Sequence, residues 1–142
     1  MSTLTASSHS IPGTLRQEIV IAGRHHLITD EPVDVGGEDS APAPHELLPA
    51  AVAACVSTTL VMYARRKGWA LRDVSVDVVY DHRSTPRRCR IEISLTGDLD
   101  AAQLERLEAV AAACPVRRAV EAGIVFEERL ALAAHISSPG VL

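Results

Sequence analysis

Aromatic side chains make up only 3% of this 142-residue chain. Tyr63, Trp69, Tyr80 and Phe126 are the whole set, so stacking platforms for bases or sugars are poorly supplied. A basic excess is missing too: 14 Lys and Arg stand against 18 Asp and Glu, a formal net charge of −4. That balance removes the electrostatic footprint of a nucleic-acid binder. Cysteine is scarce and odd in number, at positions 55, 89 and 114, too few for a secreted disulfide framework. The start, Met1 to Gly13, is Ser/Thr-rich and lacks both a basic leader and an apolar signal core, so the expected compartment is the cytoplasm. The longest uncharged stretch, Leu47 to Ala64, holds Pro49, Ser57, Thr58 and Thr59 and leans on alanine, which reads as a buried helix and not a membrane span. Dinucleotide, P-loop and serine-hydrolase glycine motifs are absent. His25, His26 and His45 lack ligand spacing, so neither a metal nor a cofactor is expected.

The sequence does carry an aliphatic, alanine-rich core in a length that suits one soluble domain: 47% of residues are hydrophobic. The expected organisation is a disordered tail over residues 1–13, a domain over 14–131, and a C-terminal tail over 132–142. Ile19 to Ala22 and Leu27-Ile28 flank Gly23-Arg24, the pattern of a β-hairpin. Glu31 to Pro44 holds three prolines and Gly36-Gly37 and reads as an irregular loop. From about Glu46 to Lys67 runs a helix that is apolar nearly all round in its first half, as if enclosed by protein on every side. Pro49 implies either that the regular helix starts there or that it is kinked there. Alternation predicts half-buried strands around Val74–Val78 and Cys89–Leu95, joined by the basic loop Asp81 to Arg88. Asp100 to Gln103 has the form of a capping box, and Leu104, Leu107, Val110, Ala111 and Cys114 then recur at helical steps. Pro115 predicts a separate short helix to Ala122, closed by Gly123. Ile124 to Leu130 reads as a last strand. The order of elements is that of an α+β domain.

For Cys55, mid-way along the most apolar helix, burial as a small hydrophobe competes with a chemical role. Cys114 lies at a helix junction, where free N–H groups of the next helix would lower a thiol pKa. Glu46 reads first as a favourable charge in the opening helical turn, Arg24 as a solvated charge, and Cys89 as a packing residue on the apolar side of its strand.

Gly36-Gly37-Glu-Asp-Ser-Ala-Pro42-Ala-Pro44-His-Glu46-Leu47-Leu48, running on to Cys55, and Met62-Tyr63-Ala64-Arg65-Arg66-Lys67-Gly68-Trp69 together resemble the OsmC/Ohr family, the osmotically inducible and organic hydroperoxide resistance proteins. Gly23 to Pro32, Gly97 to Gln103 and Cys114-Pro115-Val116-Arg117-Arg118 agree in order. The resemblance implies an OsmC-like fold: an intertwined homodimer whose central buried helices are enclosed by β-sheets from both chains. It further implies a thiol peroxidase that reduces organic hydroperoxides to alcohols and is restored by an external dithiol. Carried over by position, Cys55 is the peroxidatic and Cys114 the resolving cysteine, and Glu46 orients an arginine near the reactive sulfur, with Arg24 as its candidate partner. The chain departs from the common pattern at Arg117, where many relatives have histidine, and at Pro49 and Val52. The alternative is a non-enzymatic OsmC-like dimer that serves as a redox protein or binds a small hydrophobic ligand.

Overall fold

The computed structural model describes residues 3–133; most of the expected C-terminal tail lies outside them. Three antiparallel strands, β1 (Ala6–Ser10), β2 (Gln17–Ile21) and β3 (His25–Thr29), form one sheet in that order. The long helix α1 (Leu47–Lys67) follows, then the antiparallel pair β4 (Ala70–Asp81) and β5 (Arg88–Asp98), and the helices α2 (Ala101–Ala112) and α3 (Pro115–Ala122). The class is α+β, as expected. The tail reading fails for residues 6–10: Ala6 to Ser10 pair in register with Ile21 to Gln17. Their Ser-rich composition hid a strand because every residue of β1 is exposed, leaving no apolar alternation to read.

The predicted hairpin is β2–β3. Its turn closes with the Arg24 N–H donating to the Ile21 carbonyl, while Ala22 and Gly23 both take positive φ, 55° and 70°. The loop after β3 is organised by Asp30. One oxygen of this buried carboxylate accepts from the backbone N–H of Glu38 and Ser40 and from the Ser40 hydroxyl, the last at 2.7 Å. Gly37 is required where the loop folds back, since a Cβ there would collide with the Glu31 carbonyl.

A single 3-10 turn, Pro44–Glu46, leads into α1. Pro49 is the third residue of α1, inside the first turn, where a missing N–H costs no intrahelical bond; the helix neither starts at Pro49 nor needs a kink there. The C-terminus is as expected: Arg65, Arg66 and Lys67 occupy the last turn, and Gly68 caps it at φ 70°. By length and composition the segment Pro44–Lys67 could cross a membrane. Its buried stripe, Val52, Val56, Leu60 and Ala64, instead packs on Leu107, Val110, Ala111 and Cys114, with Val74, Val76, Val78, Ile91 and Leu95 of the β4–β5 pair closing the core. The other faces are more open, so the expected enclosure on every side is not met within one chain. The Asp100–Gln103 capping box is present, each side chain bonding the other's backbone N–H. The expected strand over Ile124–Leu130 is not: these residues have no regular structure, and Val125 and Phe126 are 87% and 85% exposed. A strand needs a partner to bond to, and no strand among the described residues pairs with this segment.

Candidate active site

Cys55 and Cys114, separated by 59 positions in the sequence, are brought together where α1 meets the α2–α3 junction. The junction explains the placement. Proline disfavours helical backbone at the residue before it, so Cys114 leaves α2 with φ −52° and ψ 130° and becomes the N-cap of α3. That turns its side chain back onto α1, where it is fully buried, while Cys55 is half-buried. Pro115 takes the first position of α3, and the N–H groups of Val116 and Arg117 are left to point at the sulfurs. One turn along α1 from Cys55, the Thr59 hydroxyl lies 3.9 Å from its sulfur.

The two thiols are driven apart in acidity. Burial is the largest influence on Cys55 and opposes ionisation, but the Cys114 thiol, the Val116 N–H and the Thr59 hydroxyl together outweigh it and bring Cys55 below the ordinary thiol value of 9.0. For Cys114, burial and its place as donor to Cys55 push the pKa up, and the N–H groups of Arg117 and Val116 recover only part of that. Of the two, Cys55 is the thiol that ionises first and Cys114 the one that holds its proton longer. Neither Thr59 nor the α3 N–H donors were named from the sequence. Thr59 could have been found from its i+4 spacing to Cys55; the N–H donors carry no side-chain signal.

Glu46 and Arg24 are not brought to the thiols within the chain. The Glu46 carboxylate accepts from the Ala43 N–H at 2.9 Å, closing the turn that starts α1. Arg24 is exposed at the tip of the β2–β3 turn, and among the described residues the β1–β3 sheet makes no extensive contact with α1. Cys89 differs from its expected role as a packing residue: it is exposed at the start of β5, opposite Tyr80, because its face of the strand opens onto a cavity. That cavity, of about 590 Å3, has Leu48, Val52, Ile91 and Val120 in its walls and Arg87, Arg88 and Arg117 around them. Leu48 and Val52 of its wall lie on the face of α1 that also carries Cys55, the nearer of them one turn away. His45 packs on His82 and Tyr80, its ring centroid 4.7 Å and 5.9 Å from theirs.

The site is thus a pair of thiols, one buried and one half-buried, at the N-terminus of α3 in an α+β fold. The sequence profile of the OsmC-like protein family matches residues 37–129, and the chain belongs to that family. No curated protein matches it. Among solved structures, a Psychrobacter arcticus 273-4 protein provisionally named for an osmotic-stress-induced and detoxification response is 27% identical, with 83% of this chain and 87% of that one covered and a TM-score of 0.67. A Legionella pneumophila protein named as an organic hydroperoxide resistance protein, OsmC, is 26% identical over 84% of this chain and 90% of that one, TM-score 0.58. An OsmC-like protein of Mycoplasma pneumoniae, 12% identical over 84% and 88%, reaches a TM-score of 0.69 and shows the fold alone.

Proposed function

We propose that this protein is a cysteine-based peroxidase that reduces organic hydroperoxides in the cytoplasm, with Cys55 as the attacking residue and Cys114 as the resolving one. The observation that carries the reading is the meeting of Cys55 on α1 with Cys114 at the N-cap of α3, and the opposite shifts of the two thiols, Cys55 down and Cys114 up, agree with it. Peroxide attack needs a thiolate. The Cys55 sulfur attacks the outer peroxide oxygen, the O–O electron pair leaves with the alkoxide, and the alkoxide takes a proton to become the alcohol. Cys55 is left as a sulfenic acid. The Cys114 sulfur then attacks the sulfenic sulfur, the hydroxyl and the Cys114 proton depart as water, and a disulfide closes before further oxidation to sulfinic acid. Thiol exchange with an external dithiol returns both cysteines. Legionella pneumophila supplies a relative titled as an organic hydroperoxide resistance protein, which favours this substrate class over hydrogen peroxide.

In this reading the working unit is a homodimer. The exposed Arg24 turn reaches from one copy toward the Cys55 of the other, and Glu46 orients its guanidinium, which favours the thiolate and the developing charge on peroxide oxygen. No metal or cofactor takes part. A sluggish ligand-binding dimer is the competing reading, and single-turnover kinetics separate the two. Cys55→Ser should abolish consumption of cumene hydroperoxide, a loss of at least about a thousandfold, because a hydroxyl is barely ionised at neutral pH. Cys114→Ser should keep its first turnover and then accumulate Cys55 sulfinic acid under excess peroxide. Undiminished consumption in Cys55→Ser, or a wild-type disulfide that always includes Cys89 by peptide mapping, would reject the assignment.

A further inference from the structure

The segment Met62 to Trp69 stands out in the sequence, and the thiol chemistry does not use it. Tyr63 follows Cys55 by eight residues on α1, roughly 12 Å along the helix axis. Arg66 and Lys67 from the last turn of α1 and Arg106 from the middle of α2 bring their charged groups to 5.6, 5.6 and 5.5 Å from the centre of its ring. The Arg106 Nε donates to the Tyr63 hydroxyl at 2.8 Å, and Trp69 packs edge-on against the ring, their centroids 5.5 Å apart. Cations in the last turn of a helix complement its dipole, which accounts for Arg66 and Lys67. It does not account for Arg106, which reaches across from another helix to add a third charge. A ring face attracts a cation, but three like charges around one phenol also repel one another. Among the described residues no carboxylate pairs with any of them, the one ion pair being Arg117 with Glu121. Glu105 and Glu108, the acidic neighbours of Arg106 on α2, line a separate cavity with Leu60 and Ile91.

The cluster consists of donors. The half-buried Tyr63 accepts from Arg106 and keeps its own hydroxyl proton, which no described residue accepts. Arg106 has committed its Nε and keeps both Nη groups, and Arg66 and Lys67 are exposed beside it. We propose that Tyr63, Arg66, Lys67 and Arg106 form a binding site for a phosphate dianion, either free or as the head of a monoester. A dianion relieves the repulsion among three cations more fully than a single charge does. Its tetrahedral oxygens accept from several directions at once, and a guanidinium presents paired donors to them. The positive potential is felt at the phenol oxygen itself: the Arg106 hydrogen bond, with the charges of Arg106, Lys67 and Arg66 behind it, holds the Tyr63 hydroxyl below its ordinary 10.0 against the effect of burial. The site stands apart from the peroxidase reading, and a phosphate bound in it ties the end of α1 to α2.

The test titrates the full chain with sodium phosphate, and with sodium chloride at matched ionic strength, and reads the fluorescence of Trp69, the single tryptophan of the chain. A saturable change that chloride does not give is expected. Methyl phosphate in a parallel titration separates the sources: binding of both makes free phosphate sufficient, binding of methyl phosphate alone assigns a monoester, and either supports the site. Arg106→Gln and Arg66→Gln should each weaken binding by about three- to tenfold, the range of one charged contact at an exposed site. Arg83→Gln, beyond the far end of β4, should not. Because a bound dianion opposes a phenolate, phosphate should also raise the pH at which Tyr63 ionises, read by ultraviolet absorbance as the difference between the wild type and Tyr63→Phe. Arg106→Gln removes a contact between helices; Arg66→Gln, at an exposed helix end, carries the test if that variant unfolds. A phosphate effect that chloride reproduces, no saturation with either phosphate, or binding unchanged in the arginine variants would overturn the proposal.

Discussion

The β1–β3 sheet and the body built on α1 both carry aliphatic side chains and end up in opposite conditions. Every buried apolar residue among those described lies at position 43 or later: Ala43, the α1 stripe, and Leu107, Val110, Ala111 and Cys114. The N-terminal sheet buries only Thr29, at its last position, with Asp30 just beyond it, although Ile19, Val20, Leu27 and Ile28 give it apolar surface to cover. A sheet this small draws its stability from covering an apolar face, and within the described residues that face is only partly covered. The body is held by its own core; the sheet is held by hydrogen bonds, the Asp30 loop, and whatever is brought to its apolar face.

The strongest way to break this comparison is dilution. If a second copy supplies the missing layer, the protein should sediment as a dimer at micromolar concentration. Amide exchange in β2 and β3 should then accelerate on dilution by orders of magnitude more than in α1. A monomer in which β2 and β3 stay as protected as α1 would show that the sheet is stable alone and remove the case for the dimer. The exposed Ile124, Val125 and Phe126 belong to the same question, being a segment of strand composition that pairs with no strand among the described residues.

Sequence was informative wherever a single chain settles the outcome. The α1 end signals, the Asp100–Gln103 box and the Pro115 restart all act within a few residues, and each appears where local chemistry puts it. The juxtaposition of Cys55 and Cys114 was legible only through family resemblance, since 59 intervening residues carry no geometric instruction. What misled were residues whose partners are not local. Ile124–Leu130 has strand composition without a strand to pair with, Cys89 alternates correctly but faces a cavity, and β1 has polar composition yet pairs through its backbone, which composition does not report. Pro49 looked disruptive only because the start of α1 was placed too early, at Glu46; with the helix beginning at Leu47, the proline falls in the turn that tolerates it.

A substitution in each region sharpens the contrast further. Leu60 is 1% exposed at the centre of the core, so Leu60→Ala should cost about 2–5 kcal/mol in denaturant unfolding, through lost transfer energy and the cavity left behind. Val20→Ala, in the sheet, should cost well under half as much in a dilute sample, because its side chain is only partly covered. Equal costs would mean that the sheet has a core of comparable density.

The smallest effect expected is confined to acid. The Ser40 hydroxyl, then the Ser40 N–H, and more weakly the N–H groups of Glu31 and Glu38 hold the Asp30 carboxyl down at about 2, against an ordinary 3.8, in spite of its burial. The folded pKa lies below the unfolded one, so the ionised form stabilises the fold. That contribution is complete above the unfolded value, declines as pH falls below 3.8, and is gone once pH passes below about 2. Asp30→Asn keeps the shape and one acceptor but cannot ionise. The stability difference between the wild type and Asp30→Asn should therefore be constant from neutral pH down to about 4 and shrink between there and about 2. Because Asp30 anchors the loop that runs on to Glu46, the same titration should loosen the loop while leaving α1 intact, which exchange rates at Glu38 and Ser40 would report. A difference that grows as the solution is acidified would mean that Asp30 is strained in its charged form, and the loop would need another anchor.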